Sequence, residues 1–300
     1  MQLMNTCSPR DYFVAAQDGL RLHVREWGPR TSAALPVVCL PGLARTTADF
    51  EALAQALATN GQAGRRVLVL DSRGRGKSDY DSNPANYTLA MELGDLLAVL
   101  TATGIGEAVF VGTSRGGILT MLLGPTRPTA IAGCVLNDIG PVIEPTGLAR
   151  IRSYVGKLLQ PPSFAAAAEN LALLFGNQFP KLTDGDWLAF AHRTFKHAGE
   201  RIVPDYDPQL ATILAQVDVE QPPPPLWKEF DSLAGLPMMI IRGSNSDILS
   251  TATVAAMRER RSELEVLEVP DQGHAPLLVE RQTIRRIADF VQACDARAAA

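Results

Sequence analysis

The chain has 300 residues, 46% of them hydrophobic and 20% charged, with a formal net charge of −4. This is a globular composition, long enough to bury a sizeable core, and it excludes disorder as the default state. The basic residues (Arg65 and Arg66, Arg73 to Lys77, Arg258 to Arg261, Arg285 and Arg286) are scattered among acids, so neither nucleic acid nor anionic membrane is expected as a partner.

Residues 1–10 contain no apolar stretch behind a basic start, and no segment approaches the roughly 18 apolar residues of a membrane span. A soluble, cytoplasmic protein is expected. Cys7, Cys39, Cys134 and Cys294 lie far apart, and two of them sit in strand-like apolar runs. Reduced, structural thiols are therefore expected.

In chain order, residues 12–16 and 20–26 read as strands flanking Gln17-Asp18-Gly19, where Asp-Gly signals a hairpin. Short apolar runs follow at 37–40, 67–70, 108–111, 133–136, 238–241 and 264–269. Helical spacing separates them, as in Leu89, Leu93, Leu96, Leu97 and Leu100, and again in Ile284, Ile287, Ala288 and Val291. Strand and helix alternating in this way predict an α/β fold, a doubly wound and mostly parallel sheet with helices on both faces.

The rhythm fails between residues 141 and 233. Helical patterns occur at 148–159, 164–175 and 186–195 without a convincing strand, and Gln221-Pro222-Pro223-Pro224-Pro225 can only be a stiff, extended connection. The chain thus divides into a core, 1–140 with 234–300, and a helical insert, 141–233. An insert leaving at the C-terminal edge of the sheet must overhang any site there, so it is expected to form a cap. Most of its large apolar side chains are expected to pack the insert onto the core and the rest to line a largely apolar pocket, with Trp187, Phe190 and Phe195 among the candidates for setting its size selectivity.

The chemistry centres on Gly112-Thr113-Ser114-Arg115-Gly116, a G-x-S-x-G placed between the strand at 108–111 and the helical run at 118–123. In such a junction a sharp turn presents the hydroxyl above the sheet, and side chains two before or two after it would strike the crossing backbone. A serine hydroxyl also needs a base, itself oriented by a carboxylate. Of the four histidines only His274 follows a sheet strand, in Asp271-Gln272-Gly273-His274. Two acids lie just beyond strands: Asp247 after 238–241 and Asp138 after 133–136. Asp247 is the expected partner, with Asp138 its competitor and Asp271 a weaker third.

Taken together these features resemble the α/β-hydrolase family over residues 12–291. Asp71-Ser72-Arg73-Gly74-Arg75-Gly76-Lys77-Ser78 is similar to the family's D-x-R-G-x-G-x-S segment, which is mainly structural. The resemblance implies an eight-stranded sheet, a Ser114, Asp247, His274 triad, and an oxyanion hole built from the backbone N–H groups of Leu43 and Arg115. The sequence departs from a common family form in having Pro41 where a His often precedes the Gly, and Arg115 where an apolar residue or Gln is more familiar.

A Walker loop would need Gly at Asp71, and a dinucleotide fingerprint would need Gly at Asp79. His192 and His197 lie five apart, not the four that one helical face requires for zinc. No cofactor or metal is expected. The resemblance implies carboxylesterase-like cleavage of a small-molecule ester through an acyl-enzyme. Lactone hydrolysis, cleavage of a C–C bond beside a carbonyl, and ligand binding without turnover remain alternatives. Halide displacement and epoxide opening, which use a carboxylate nucleophile in this family, are disfavoured by a serine at 114.

Overall fold

The computed structural model describes residues 8–60, 64–215 and 223–298. Cys7, Gln221 and Pro222 fall outside the described residues. The N-terminal hairpin pairs β1 (Arg10–Ala15) with β2 (Arg21–Trp27), and Gly19 takes the positive φ of 85° that its turn demands. The sheet continues with β3 (Val37–Leu40), β4 (Val67–Leu70), β5 (Ala108–Thr113) and β6 (Ile131–Asn137). Between them lie α1 (Glu51–Thr59), α2 (Leu89–Ala102) and α3 (Arg115–Thr126).

Why these short apolar runs become interior strands is visible in their alternation. Val38, Leu40, Leu68, Leu70 and Phe110 join one core cluster, whereas Val37, Cys39, Val67, Val69, Val109 and Val111 join another. A period of two thus splits continuous apolar runs between two covered faces, as parallel sheets require. Cys39, Cys134 and Cys294 are free and buried.

After β6 the chain leaves the sheet and forms α4 (Pro145–Tyr154), α5 (Phe164–Phe175) and α6 (Asp184–Thr194). A small antiparallel hairpin follows, β7 (Phe195–Ala198) with β8 (Arg201–Pro204), before α7 (Ala211–Ala215) and α8 (Trp227–Ser232). This hairpin corrects the expectation of an insert without strands. Each strand has only four residues, turned at Gly199 with φ 65°. The chain then returns through β9 (Met238–Gly243), α9 (Thr251–Arg260), β10 (Glu265–Val269) and α10 (Arg281–Ala298).

The large sheet has eight strands in the order β1-β2-β4-β3-β5-β6-β9-β10, antiparallel at β1-β2 and β2-β4 and parallel elsewhere. The strand order reverses around β3, so the ends of β3 and β5 open a crevice at the C-terminal edge, where open α/β sheets place their ligands. Among the described residues, 141–233 add no strand to this sheet. Their aromatic residues (Phe175, Phe179, Trp187, Phe190 and Phe195) form a cluster of their own.

Candidate active site

Ser114 stands between β5 and α3 with φ 51° and ψ −116°, a conformation that costs a non-glycine residue about 1–3 kcal/mol. The flanking glycines make it possible. A Cβ on Gly112 would lie 2.5 Å from the Gly116 carbonyl oxygen and Gly117 nitrogen, and one on Gly116 would overlap the Leu40 carbonyl. Strand, elbow and helix can cross at van der Waals distance only without those side chains.

His274 reaches the elbow from the loop after β10. Its Nε2 lies 2.8 Å from Ser114 Oγ and its Nδ1 lies 2.9 Å from Asp138 Oδ2. Ser114, His274 and Asp138 therefore form one continuous hydrogen-bonded row, the arrangement by which a base can take a hydroxyl proton while a carboxylate orients the imidazole. With Nδ1–H donating to Asp138, Nε2 is left as the acceptor for the serine proton.

Asp138, and not the expected Asp247, stands on the imidazole. The backbone decides this. Asp138 takes a φ of 56° just past β6 and is fully buried, so its carboxylate faces the loop after β9. Gly243 N–H, at the end of β9, donates to Oδ1 at 2.8 Å, and the Ser246 hydroxyl in that loop donates to Oδ2 at 2.6 Å. Asp247 turns the other way. Arg150 of α4 grips it in a fork, with Nε and Nη2 donating at 2.6 and 2.7 Å. The loop expected to supply the acid thus supplies a donor to it. Asp271, with φ 57°, occupies the turn before the base, where its N–H donates to Ser244 Oγ at 2.9 Å.

Sequence reasoning missed two residues here. Gln178, in the insert, accepts the His274 N–H at Oε1 (2.9 Å), while its backbone carbonyl accepts from Asn245 Nδ2 (3.2 Å). Asn137 donates through Nδ2 to Thr113 Oγ1 (3.0 Å) and to the Pro276 carbonyl (2.9 Å), linking the elbow strand to the loop after the base. No motif marks Gln178. Asn137 could have been suspected as a polar side chain within an apolar strand run, since a buried amide must find partners.

Two cavities meet at Ser114. The smaller, about 100 Å³, contains His274 together with Arg45, Tyr154, Phe175, Phe179 and Phe190. The Arg45 guanidinium on its wall pairs with Asp49 and donates to Thr194 Oγ1 at 2.7 Å. The larger, about 390 Å³, lacks the imidazole and runs between Ile118, Ile139, Leu148, Ile213, Leu226 and Ile248. Leu43 borders both cavities and Arg115 borders the larger. Arg115 opens α3, where first-turn N–H groups have no intrahelical acceptor. Of the three aromatic residues named as selectivity candidates, Phe190 lines a cavity, whereas Trp187 and Phe195 pack within the insert's own cluster.

Among the described residues no group of His, Cys, Asp and Glu could hold a metal ion, and no helix is long and apolar enough to cross a membrane.

A family model described as alpha/beta hydrolase fold matches residues 36–280. The 3-hydroxybutyrate-oligomer hydrolase of Cupriavidus necator is 31% identical over 95% of this chain and 98% of its own length. An alpha/beta hydrolase of known crystal structure from Novosphingobium aromaticivorans is 40% identical, covering 95% of this chain and 99% of its own, with a TM-score of 0.88. Bifunctional epoxide hydrolase 2 of Rattus norvegicus is 27% identical over 71% of this chain but only 39% of its own length.

Proposed function

We infer that this chain, which belongs to the α/β-hydrolase family, hydrolyses carboxylic esters through an acyl-enzyme on Ser114. The observation that carries this reading is the row Ser114 Oγ, His274 Nε2 and Nδ1, Asp138 Oδ2, with spacings of 2.8 and 2.9 Å. In the proposed mechanism His274 takes the hydroxyl proton as Ser114 attacks the carbonyl carbon, and Asp138 stabilises the imidazolium. The carbonyl oxygen, now anionic, falls to the backbone N–H groups of Leu43 and Arg115. His274 returns the proton to the leaving alkoxide, and water then releases the acid by the same steps.

The proton's route assigns the two cavities. The leaving oxygen must meet Nε2, so the alcohol part lies in the cavity that contains His274, beside Arg45 and Thr194. The acyl part then fills the larger cavity, whose aliphatic lining suits a hydrocarbon chain. Residues 141–233 act as a cap, because Leu148, Ile151 and Ile213 of this stretch roof the larger cavity over Ser114. A relative that hydrolyses 3-hydroxybutyrate oligomers directs attention to esters of short hydroxy acids. Epoxide opening is not part of the proposal, because the group on the elbow is a hydroxyl and not a carboxylate.

The test is turnover by purified protein and by Ser114→Ala across p-nitrophenyl esters of increasing acyl length, lactones, and linear 3-hydroxybutyrate dimers and trimers. The wild type should cleave linear esters, and Ser114→Ala should lose on the order of 10⁵-fold in kcat while staying folded. Retention of turnover by Ser114→Ala, or a wild type inert towards every ester, would overturn the reading.

A further inference from the structure

The D-x-R-G-x-G-x-S segment after β4 is a structural brace over most of its length. Asp71 accepts the Thr47 N–H and the Lys77 N–H, and Arg73 forks onto Asp95 with Nε and Nη2 at 2.7 and 2.6 Å. Arg75 does something else. Its Nε donates to the Leu43 carbonyl at 2.7 Å and its Nη1 to Glu92 Oε1, also at 2.7 Å. The second Glu92 oxygen, Oε2, accepts from Arg115 Nε at 2.6 Å, while Arg115 Nη2 donates to the Tyr87 carbonyl at 3.1 Å. Leu43, in the loop after β3, and Arg115, at the start of α3, are thus joined by one chain of charge-assisted hydrogen bonds with a single carboxylate at its centre.

We propose that Glu92 is a positioning residue: acting through Arg75 and Arg115, it sets the separation of the two backbone N–H groups that receive the oxyanion. The inference rests on the ester-hydrolysis reading above. The Leu43 carbonyl belongs to the peptide immediately following that residue's own N–H, so Arg75 limits rotation of the loop at the point where its donor must be aimed. On the other side Glu92 holds the first residue of α3. Oxyanion donors must lie 2.7–3.1 Å from the oxygen they serve, and a hole built from a loop and a separate helix start meets that tolerance only if something couples the two.

The energetics favour a geometric role over a stabilising one. Arg75 and Glu92 are each 1% exposed, and burying two guanidiniums around one carboxylate costs as much desolvation as it returns in attraction. Among the described residues Arg75 Nη2 has no hydrogen-bond partner, an imperfection that an apolar packing of the same space would avoid. Burial alone would raise the Glu92 carboxyl, but Arg115 and Arg75 outweigh it and hold the group below its ordinary range. The Glu92 carboxyl at the centre of the tie therefore stays ionised in the neutral range.

The test is Glu92→Gln, which keeps the volume and removes the charge, with kcat, KM and affinity for an aliphatic trifluoromethyl ketone measured on the wild type and the variant. The ketone adds to the serine and places a tetrahedral oxyanion in the hole. The expected result is a kcat lowered about 10- to 100-fold, less than the loss of a whole oxyanion donor, with KM moved by less than about 3-fold. Ketone affinity should fall by the same factor as kcat, and Glu92→Asp should recover part of it. A folded Glu92→Gln with unchanged kcat, or one whose kcat falls while ketone affinity holds, would overturn the tie alone. Should Glu92→Gln not fold, Arg115→Met, which spares the Arg75–Glu92 pair, is judged by the same two ratios. A wild type that does not bind the ketone would overturn the hydrolysis reading, and the tie with it.

Discussion

Two loops at the C-terminal edge of the sheet carry an aspartate just past neighbouring parallel strands, and they use it in opposite ways. After β6, Asp138 turns inward with a positive φ and accepts from His274, Gly243 and Ser246. After β9, Asp247 turns towards the insert and closes a fork with Arg150. The strands are adjacent and in parallel register from Cys134 with Met238 to Asn137 with Ile241, so the two loops leave the same edge of the sheet side by side. What separates them is backbone direction at one residue. A carboxylate at the right edge becomes the imidazole's partner only where the chain aims it inward and fixed donors hold it.

The sharpest way to break this comparison is to neutralise each acid in turn. Asp138→Asn should lower kcat about 10⁴-fold in a folded protein, because the amide favours the wrong imidazole tautomer and cannot balance its charge. Equal losses in steady-state assays of Asp138→Asn and Asp247→Asn would mean that the two loops share the role.

A smaller effect should come from the donors that aim Asp138. Ser246→Ala removes the hydroxyl at 2.6 Å from Oδ2, which also accepts the Ile248 and Leu249 N–H groups, and we expect kcat to fall about 10-fold with KM nearly constant, since the orientation of the acid is loosened. An unchanged kcat would show that the Gly243 N–H and the φ of 56° suffice.

Gln178→Ala should cost less, about 3- to 5-fold in kcat. It removes the acceptor of the His274 N–H but leaves both imidazole bonds, and rescue by Gln178→Glu would identify the lost acceptor as the cause.

The smallest catalytic effect belongs to Asp247→Asn, less than about 3-fold in kcat. The change removes the charge of a partly exposed ion pair, both side chains being 20% exposed. It should lower stability by about 1 kcal/mol, seen as a Tm reduced by a few degrees in thermal denaturation. A loss of activity without loss of stability would return Asp247 to the site.

Much of the scaffold was legible because its determinants are local. The strands at 37–40 and 67–70 have the bounds that their apolar runs imply, and α5 spans Phe164–Phe175 as its spacing requires. The hairpin formed by β7 and β8 was not legible. Its strands have four residues each and follow α6 without a break, so the helical period hides the short alternation. The turn at Gly199 was the available signal.

By itself the sequence pointed to Ser114 and His274, which the structure brings within 2.8 Å of each other. Gly112 and Gly116 specify a strand-to-helix elbow by steric exclusion alone, and His274 lies just beyond the run 264–269, which forms β10. Those are short-range constraints, written in neighbouring residues. Tertiary structure alone decided that Asp138 and not Asp247 meets the imidazole, that Trp187 and Phe195 pack the insert while Phe190 borders a cavity, and that Arg75, Glu92 and Arg115 form one chain. Each of these depends on where a side chain points after distant segments have packed, and residue spacing carries no information about that direction.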